Sequence, residues 1–127
     1  MEINQLSSKI IGAAIEVHKA LGPGLLESAY EECLFHELGL RRLSLERQKQ
    51  LAITYKGQEL DCGYRLDLVV EKTIILELKS SEKIEEIHKA QLLTYLKLSG
   101  LKLGLLLNFN VPVMRDGIVR IVNNLKE

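Results

Sequence analysis

The chain has 127 residues, of which 46% are hydrophobic and 27% are charged, and its 17 basic residues balance its 17 acidic residues. This composition predicts one folded domain over residues 1–127, because the chain is too apolar to be disordered and too short to bury two hydrophobic cores. It excludes a multi-domain enzyme, a protein embedded in a membrane, and a protein that coats nucleic acid through bulk positive charge.

Two helices are predicted at the start of the chain. Apolar residues recur with a helical period over Ile3–Leu21, and the sequence Gly-Pro-Gly at 22–24 ends this helix. A second helix is predicted from about Leu25 to Leu38, with Gly39 as its stop signal. Its inward stripe comprises Leu26, Tyr30, Cys33, Leu34 and Leu38. The N-terminal residues mix acidic and polar side chains with apolar ones, unlike a secretory signal, so we expect a cytoplasmic protein.

The middle of the chain changes to the period of β-strands. Alternating residues in Leu51–Tyr55, a turn at Lys56–Gln58 and the segment Glu59–Tyr64 predict a hairpin. Two largely buried strands follow at Arg65–Val70 and Thr73–Ser80. The turn between them is short, which favours an antiparallel pair.

The last part of the chain is predicted to contain a third helix and two strands. Ser80 and Ser81 are expected to cap the helix, which ends at Ser99 and Gly100. Its apolar positions are Ile84, Ile87, Leu92, Tyr95 and Leu98. The apolar run LKLGLLLNFN at 101–110 predicts a central strand covered on both faces, and Ile118–Val122 predicts the final strand. This order of elements predicts an α/β fold.

The two cysteines give no sign of a disulfide or a zinc site. Cys33 and Cys62 lie in apolar or strand-like segments, and neither has the spacing to other cysteines or histidines that zinc ligands require. We therefore predict two buried free thiols.

Three charged residues lie within the predicted buried strands. Glu77 and Lys79 are two residues apart, so they point to the same face of their strand, and Asp67 lies on the neighbouring strand. Because burying unpaired charges is costly, this arrangement indicates either a salt bridge or a bound cation. An exposed Glu77–Lys79 ion pair, with Asp67 facing solvent, explains these three residues equally well.

Several motifs resemble those of the GxxExxY proteins, a group within the PD-(D/E)XK nuclease superfamily. The resemblance rests on GLLESAY at 24–30, GYRLDLVV at 63–70, ILELKS at 75–80, HKAQLLTYLKLSGLKLGLLLNFN at 88–110 and DGIVRIV at 116–122. It implies a restriction-endonuclease-like αβββαβ core, in which helices flank a central mixed sheet. It also implies a metal-dependent nuclease.

The resemblance assigns roles to the charged strand residues. Asp67 matches the metal-binding aspartate of the superfamily, and Glu77 and Lys79 match its ExK pair. The carbonyl group of Leu78 is a further ligand that the resemblance implies. Two carboxylates suit Mg²⁺, with Mn²⁺ as the alternative ion, and Lys79 would orient the attacking water or stabilise the charge that builds on the phosphate.

Two helices are expected to add side chains to this site. Glu27 matches the glutamate of GxxExxY and is predicted to share the inward stripe of its helix and to complete the metal site. The alternative is an exposed first-turn glutamate favoured by the helix dipole. Gln91 and Tyr95 match a QxxxY element of RecB-type enzymes. Gln91 would bind Lys79 or a substrate phosphate, and Tyr95 either packs with its polar tip free or contacts the substrate. His88 lies on the same face and matches no motif.

Arg65 precedes Asp67 by two residues, which places it on the same face of the strand if the strand is regular. From the sequence, it either holds a substrate phosphate or neutralises the two acids.

These observations favour a Mg²⁺-dependent nuclease that hydrolyses phosphodiester bonds of nucleic acid, with DNA the expected substrate, in repair or defence. The alternative is an inactive module that keeps the fold, binds metal or nucleic acid, and acts through a partner protein. A third interpretation is a buried charge network without function. A homodimer would extend the surface for substrate, and no contact with a membrane is expected.

Overall fold

A computed structural model describes residues 1–126 of the protein. Within these residues, the α-helices are α1 at Ile3–Leu21, α2 at Glu27–Leu40 and α3 at Glu86–Ser99, and a short 3-10 helix lies at Met114–Gly117. The strands are β1 at Leu45–Gln50, β2 at Ile53–Tyr55, β3 at Gln58–Leu60, β4 at Arg65–Val70, β5 at Ile74–Lys79, β6 at Leu103–Asn108 and β7 at Ile118–Val122.

Five of these strands form one mixed sheet, in the order β1-β4-β5-β6-β7, and β2 and β3 form a separate hairpin. β5 and β6 are parallel, and the other neighbours in the sheet are antiparallel. This architecture confirms the predicted α/β fold with a restriction-endonuclease-like core. None of the described helices is long and apolar enough to cross a membrane.

The sheet separates two apolar clusters. The larger cluster lies between one face of the sheet and helices α1 and α2, with Ile10 and Tyr30 fully buried in it. The smaller cluster lies on the opposite face, where Leu92 and Leu96 of α3 pack. Because side chains of β5 and β6 enter both clusters, these strands are covered on both faces, as the apolar run of β6 predicts. Each fully buried aliphatic side chain contributes roughly 1.5–3 kcal/mol to stability.

The limits of α1 match the prediction, whereas α2 starts and ends later than predicted. The backbone stays extended through Leu26, so that the helix begins at Glu27. Gly39 does not stop the helix, which runs to Leu40. The left-handed conformation expected of Gly39 is instead adopted by Arg42, whose φ is 63°.

The start of α3 is also later than predicted. Its N-terminal cap is Glu85, which forms a reciprocal capping box with His88, and the predicted caps Ser80 and Ser81 lie outside the helix. The reason is tertiary, because the backbone N–H and carbonyl groups of Ser81 bind the side chain of Asn108 at the end of β6.

Strand β1 is absent from the prediction, and the predicted hairpin is shorter in the structure. β1 has the sequence LERQKQ and lies at an edge of the sheet, with four of its residues exposed. A polar edge strand has no apolar alternation, so the period of its sequence could not reveal it.

Some apolar side chains predicted to face inward are exposed. Leu26 is 76% exposed, Ile87 is 61% exposed and Leu98 is 40% exposed. Leu26 precedes the first residue of α2, and Ile87 and Leu98 are not among the α3 residues that are buried against the sheet. Both cysteines are free, as predicted, but Cys62 is exposed and Cys33 is only half-buried, so the predicted burial of these thiols is wrong.

Candidate active site

The pairing of β4 with β5 stops where their two acidic residues meet. The last pair is Leu68 with Leu76, and the same register places Asp67 opposite Glu77. There the Asp67 N–H donates to Glu77 Oε2 at 3.3 Å, and the Leu78 N–H donates to Asp67 Oδ2 at 2.9 Å. Where the ladder would continue, the two carboxylates accept hydrogen bonds from backbone N–H groups. The side chains of Asp67 and Glu77 therefore lie close together.

Glu77 is buried, and its surroundings disfavour a negative charge. Its side chain lies in the sheet with only 8% of the residue exposed. Burial first, then the negative charge of Asp67 and a hydrogen bond with its side chain, together raise the pKa of Glu77 to about 9, against smaller opposing effects of the Asp67 N–H and Lys79. Without a cation, Glu77 is therefore protonated at neutral pH.

The acid pair fits a divalent cation through the chemistry of its donors. A cation between the two carboxyl groups would stabilise the ionised form of Glu77, because its positive charge offsets the effects of burial and of Asp67 that otherwise keep this carboxyl group protonated. Within residues 1–126, no three side chains of His, Cys, Asp or Glu are grouped to hold a metal ion. Further ligands would therefore have to come from main-chain oxygen or water.

Lys79 ends β5 beside this pair. Its carbonyl accepts a hydrogen bond from the N–H of Phe109 at 3.0 Å, which fixes its backbone to the segment after β6. Among the described residues, its Nζ forms no ion pair with Glu77, although its charge lowers the pKa of that carboxyl. The interpretation of these residues as an exposed ion pair is therefore wrong, because Glu77 is buried and unpaired with Lys79.

The segment after Lys79 is held on two sides. Ser80 Oγ donates to the carbonyl of Leu25 at 2.6 Å, which joins the end of β5 to the residues before α2. Asn108 is 2% exposed, and its side chain binds both backbone groups of Ser81 and accepts from the N–H of Asn110. These hydrogen bonds fix the backbone of the segment that follows Lys79.

A scan against protein-family models matches residues 4–121 to the PD-(D/E)XK nuclease superfamily. The chain belongs to this superfamily. No curated protein and no solved structure matches it. Nucleases of the PD-(D/E)XK superfamily generally use divalent metal ions, and the membership supports a nuclease-like function. The finer assignment to the GxxExxY proteins stays a prediction.

Glu27, the expected helical member of the PD-(D/E)XK site, does not join the acid pair. It is the first residue of α2 and is exposed, whereas Tyr30 and Leu34 of the same helix are buried. The prediction that Glu27 shares the inward stripe is thus wrong, and the alternative of an exposed glutamate in the first helical turn is correct.

Two residues that the sequence did not single out are linked to Asp67 instead, Gln48 directly and Glu31 through Gln48. Gln48 of β1 donates through Nε2 to Glu31 Oε1 at 2.7 Å and to Asp67 Oδ1 at 3.4 Å. Glu31 lies one helical turn after Glu27, which was the only available signal for it. Gln48 gave none, because it belongs to the polar edge strand.

The helix α3 contributes a groove beside the acid pair. Gln91 and Tyr95 line this groove, of about 210 Å³, together with Tyr64, whose ring centroid is 5.9 Å from that of Tyr95. Burial raises the pKa of Tyr95, and the negative charges of Glu77, Tyr64 and Asp67 raise it further, which places its hydroxyl in the field of the pair.

The remaining predicted residues make other contacts. Gln91 is exposed and forms no hydrogen bond to Lys79 within the described part of the chain. His88 Nδ1 accepts from the N–H of Glu85 at 3.0 Å and so acts as a helix cap. Arg65 pairs with Asp61 at 3.4 Å rather than with the two acids, which excludes its predicted role of neutralising them in this conformation.

Tyr30 anchors the segment that leads into α2, and its hydroxyl gives a testable prediction. The hydroxyl donates to the carbonyl of Gly22 and accepts from the N–H of Leu25 at 3.1 Å, while the ring stacks on Phe109 at 4.5 Å. Tyr30→Phe leaves both backbone groups without this partner, so we expect the free energy of unfolding to fall by about 1–3 kcal/mol in urea denaturation. Tyr55→Phe, in an exposed tyrosine, should change it by less than about 0.5 kcal/mol. Equal effects of the two substitutions would contradict the anchoring role.

Proposed function

We propose that the protein is a metal-dependent nuclease that hydrolyses phosphodiester bonds of nucleic acid, with DNA as the substrate, in repair or defence. The observation that carries this proposal is the meeting of Asp67 and Glu77 where the β4–β5 ladder ends, with Lys79 beside them. Membership in the PD-(D/E)XK superfamily supports the reaction class.

Asp67 and Glu77 would hold the cation, with the carbonyl oxygen of Leu78 as a third protein ligand. The Leu78 N–H points toward Asp67, and the N–H and carbonyl groups of one strand residue point to the same side of the strand. An all-oxygen set favours Mg²⁺, with Mn²⁺ as the alternative. Glu27 is left out of this set because it is exposed and, among residues 1–126, no third acidic side chain is grouped with the pair.

When bound, the cation would supply positive charge that polarises the phosphodiester and helps to ionise the attacking water. Asp67 and Glu77 would hold this charge where the β4–β5 ladder ends. Lys79, whose Nζ has no ion-pair partner among the described residues, would donate hydrogen bonds to the attacking water or to the phosphate as negative charge builds. Gln91 and Tyr95, which line the neighbouring groove, would contact the substrate.

The second candidate is a module that binds metal or nucleic acid without turnover and acts through a partner protein. Two observations favour it: the net charge is zero, and Arg65 is engaged with Asp61 instead of facing the acid pair. A homodimer or a partner protein would add positive surface to a chain whose net charge is zero.

Lys79→Ala separates the two candidates. Purified protein is incubated with Mg²⁺ or Mn²⁺ and with single-stranded, duplex and branched DNA and RNA. We expect cleavage of at least one substrate, at a rate that Lys79→Ala lowers by about 100- to 1,000-fold. Lys97→Ala, which removes an exposed lysine of α3, is the matched control and should cleave normally. If the unmodified protein cleaves none of these substrates but binds the metal, the second candidate replaces the first.

A further inference from the structure

Gln48 has a backbone conformation that is unusual for a strand residue. Its φ is 50°, in the left-handed region that residues other than glycine adopt only at a cost. The ladder on either side is regular, with Arg47 paired to Leu68 and Lys49 paired to Leu66. No inserted residue forces this conformation, and the same register places Gln48 opposite Asp67.

The side chain of Gln48 connects two carboxylates from different elements. Its amide nitrogen donates to Glu31 of α2 at 2.7 Å and to Asp67 of β4 at 3.4 Å. Glu31 has a second, charged partner, because Arg47 Nε binds its other oxygen at 2.8 Å. Glu31 is therefore a fixed acceptor, and it holds the Gln48 amide in place.

The hydrogen bond from Gln48 gives the second oxygen of the Asp67 carboxylate a partner. The Leu78 N–H binds Asp67 Oδ2 at 2.9 Å, and Gln48 is the partner of Oδ1. Glu31 would keep Arg47 if Gln48 were lost, so the fold does not need the strained residue to satisfy this glutamate. The contribution of Gln48 is an uncharged hydrogen-bond donor that links Glu31 of α2 to Asp67.

We propose that Gln48 is a positioning residue for cation binding, whose left-handed backbone directs its amide to hold the Asp67 carboxylate in the orientation that receives the ion. This inference rests on the proposed metal site. Hydrogen-bond partners of ligating groups fix the orientation of the ligand, and their loss typically lowers metal affinity about 10- to 100-fold. Glycine at this position would remove the amide and relieve the backbone strain together.

The test is Gln48→Gly, with calorimetric titration of Mn²⁺ and thermal unfolding of the metal-free protein. We expect the Mn²⁺ dissociation constant to rise about 10- to 100-fold, while the unfolding midpoint stays the same or rises by a few degrees. Gln48→Asn is the second variant. Asparagine tolerates the left-handed region, but its shorter side chain cannot reach both carboxylates, so the same loss of affinity is expected.

Lys56→Gly is the matched control. Lys56 has a φ of 49° in the β2–β3 turn, so glycine should relieve strain there without changing Mn²⁺ affinity. Unchanged affinity in Gln48→Gly, or a loss of affinity matched by a lower unfolding midpoint in both Gln48 variants, would overturn the inference. If the unmodified protein binds no Mn²⁺, the proposed metal site itself fails, and this inference fails with it.

Discussion

Asp67→Asn is expected to abolish metal-dependent cleavage and leave the fold intact. Asparagine keeps an oxygen that can accept from the Leu78 N–H, but it removes the negative charge offered to the cation. Loss of a hydrogen-bond partner of a metal ligand typically lowers activity roughly 10- to 100-fold. Loss of the charge of the ligand itself should lower the cleavage rate by more than this. The measurement is the initial rate of substrate cleavage at saturating Mg²⁺ and again with Mn²⁺.

The stability of Asp67→Asn provides the control for this prediction. Because Glu77 is protonated in the metal-free fold and the side-chain oxygen of asparagine at position 67 can still accept a hydrogen bond from its carboxyl group, the metal-free variant should unfold at about the same temperature. If the acids form only a structural charge network, removal of one partner should destabilise the protein by about 3–5 kcal/mol, and metal should give no protection against unfolding. That result would contradict the proposed site.

The second large effect is the dependence of stability on pH that Glu77 imposes on the metal-free protein. The pKa of Glu77 is about 9 in the fold and 4.5 without it. Below the lower value both states hold the proton. Between the two values only the folded state does, so the free energy of unfolding falls as pH rises, by at most about 1.4 kcal/mol per pH unit. Above about pH 9 both states have lost the proton, so Glu77 no longer changes the free energy of unfolding as pH rises.

Glu77→Gln isolates this contribution. The amide does not titrate, so the variant should lack the component that Glu77 contributes, and it should become progressively more stable than the unmodified protein from about pH 5 to pH 9. Urea denaturation in metal-free buffers across this range measures the difference. A constant difference between the two proteins at all pH values would show that Glu77 ionises normally in the fold.

The meeting of Asp67 and Glu77 could be predicted because it depends on local rules. A period of two, a short turn and antiparallel pairing together place these residues on neighbouring strands at the same level. Their electrostatic state could not be predicted in the same way, since the raised pKa of Glu77 arises from burial and from the approach of Asp67, which only the assembled sheet provides.

The helix boundaries and the edge strand were harder to predict because tertiary contacts decide them. Tyr30 binds the backbone of Gly22 and Leu25, and Leu26 stays extended, so α2 begins at Glu27, which is exposed. Asn108 binds Ser81, so α3 begins after it. Gln48 lies in a polar strand, and its role depends on a backbone conformation that no residue pattern indicates.

Metal binding to the unmodified protein tests the central claim most directly. Calorimetric titration of Mn²⁺ at pH 7, in two buffers of different ionisation enthalpy, gives the number of ions bound and the protons released. Because the ion binds ionised Glu77, which is protonated in the metal-free fold, we expect one ion per chain and release of about one proton. Asp67→Asn should abolish this binding. Absence of binding by the unmodified protein, or binding that Asp67→Asn leaves unchanged, would contradict the assignment of the metal site to Asp67 and Glu77.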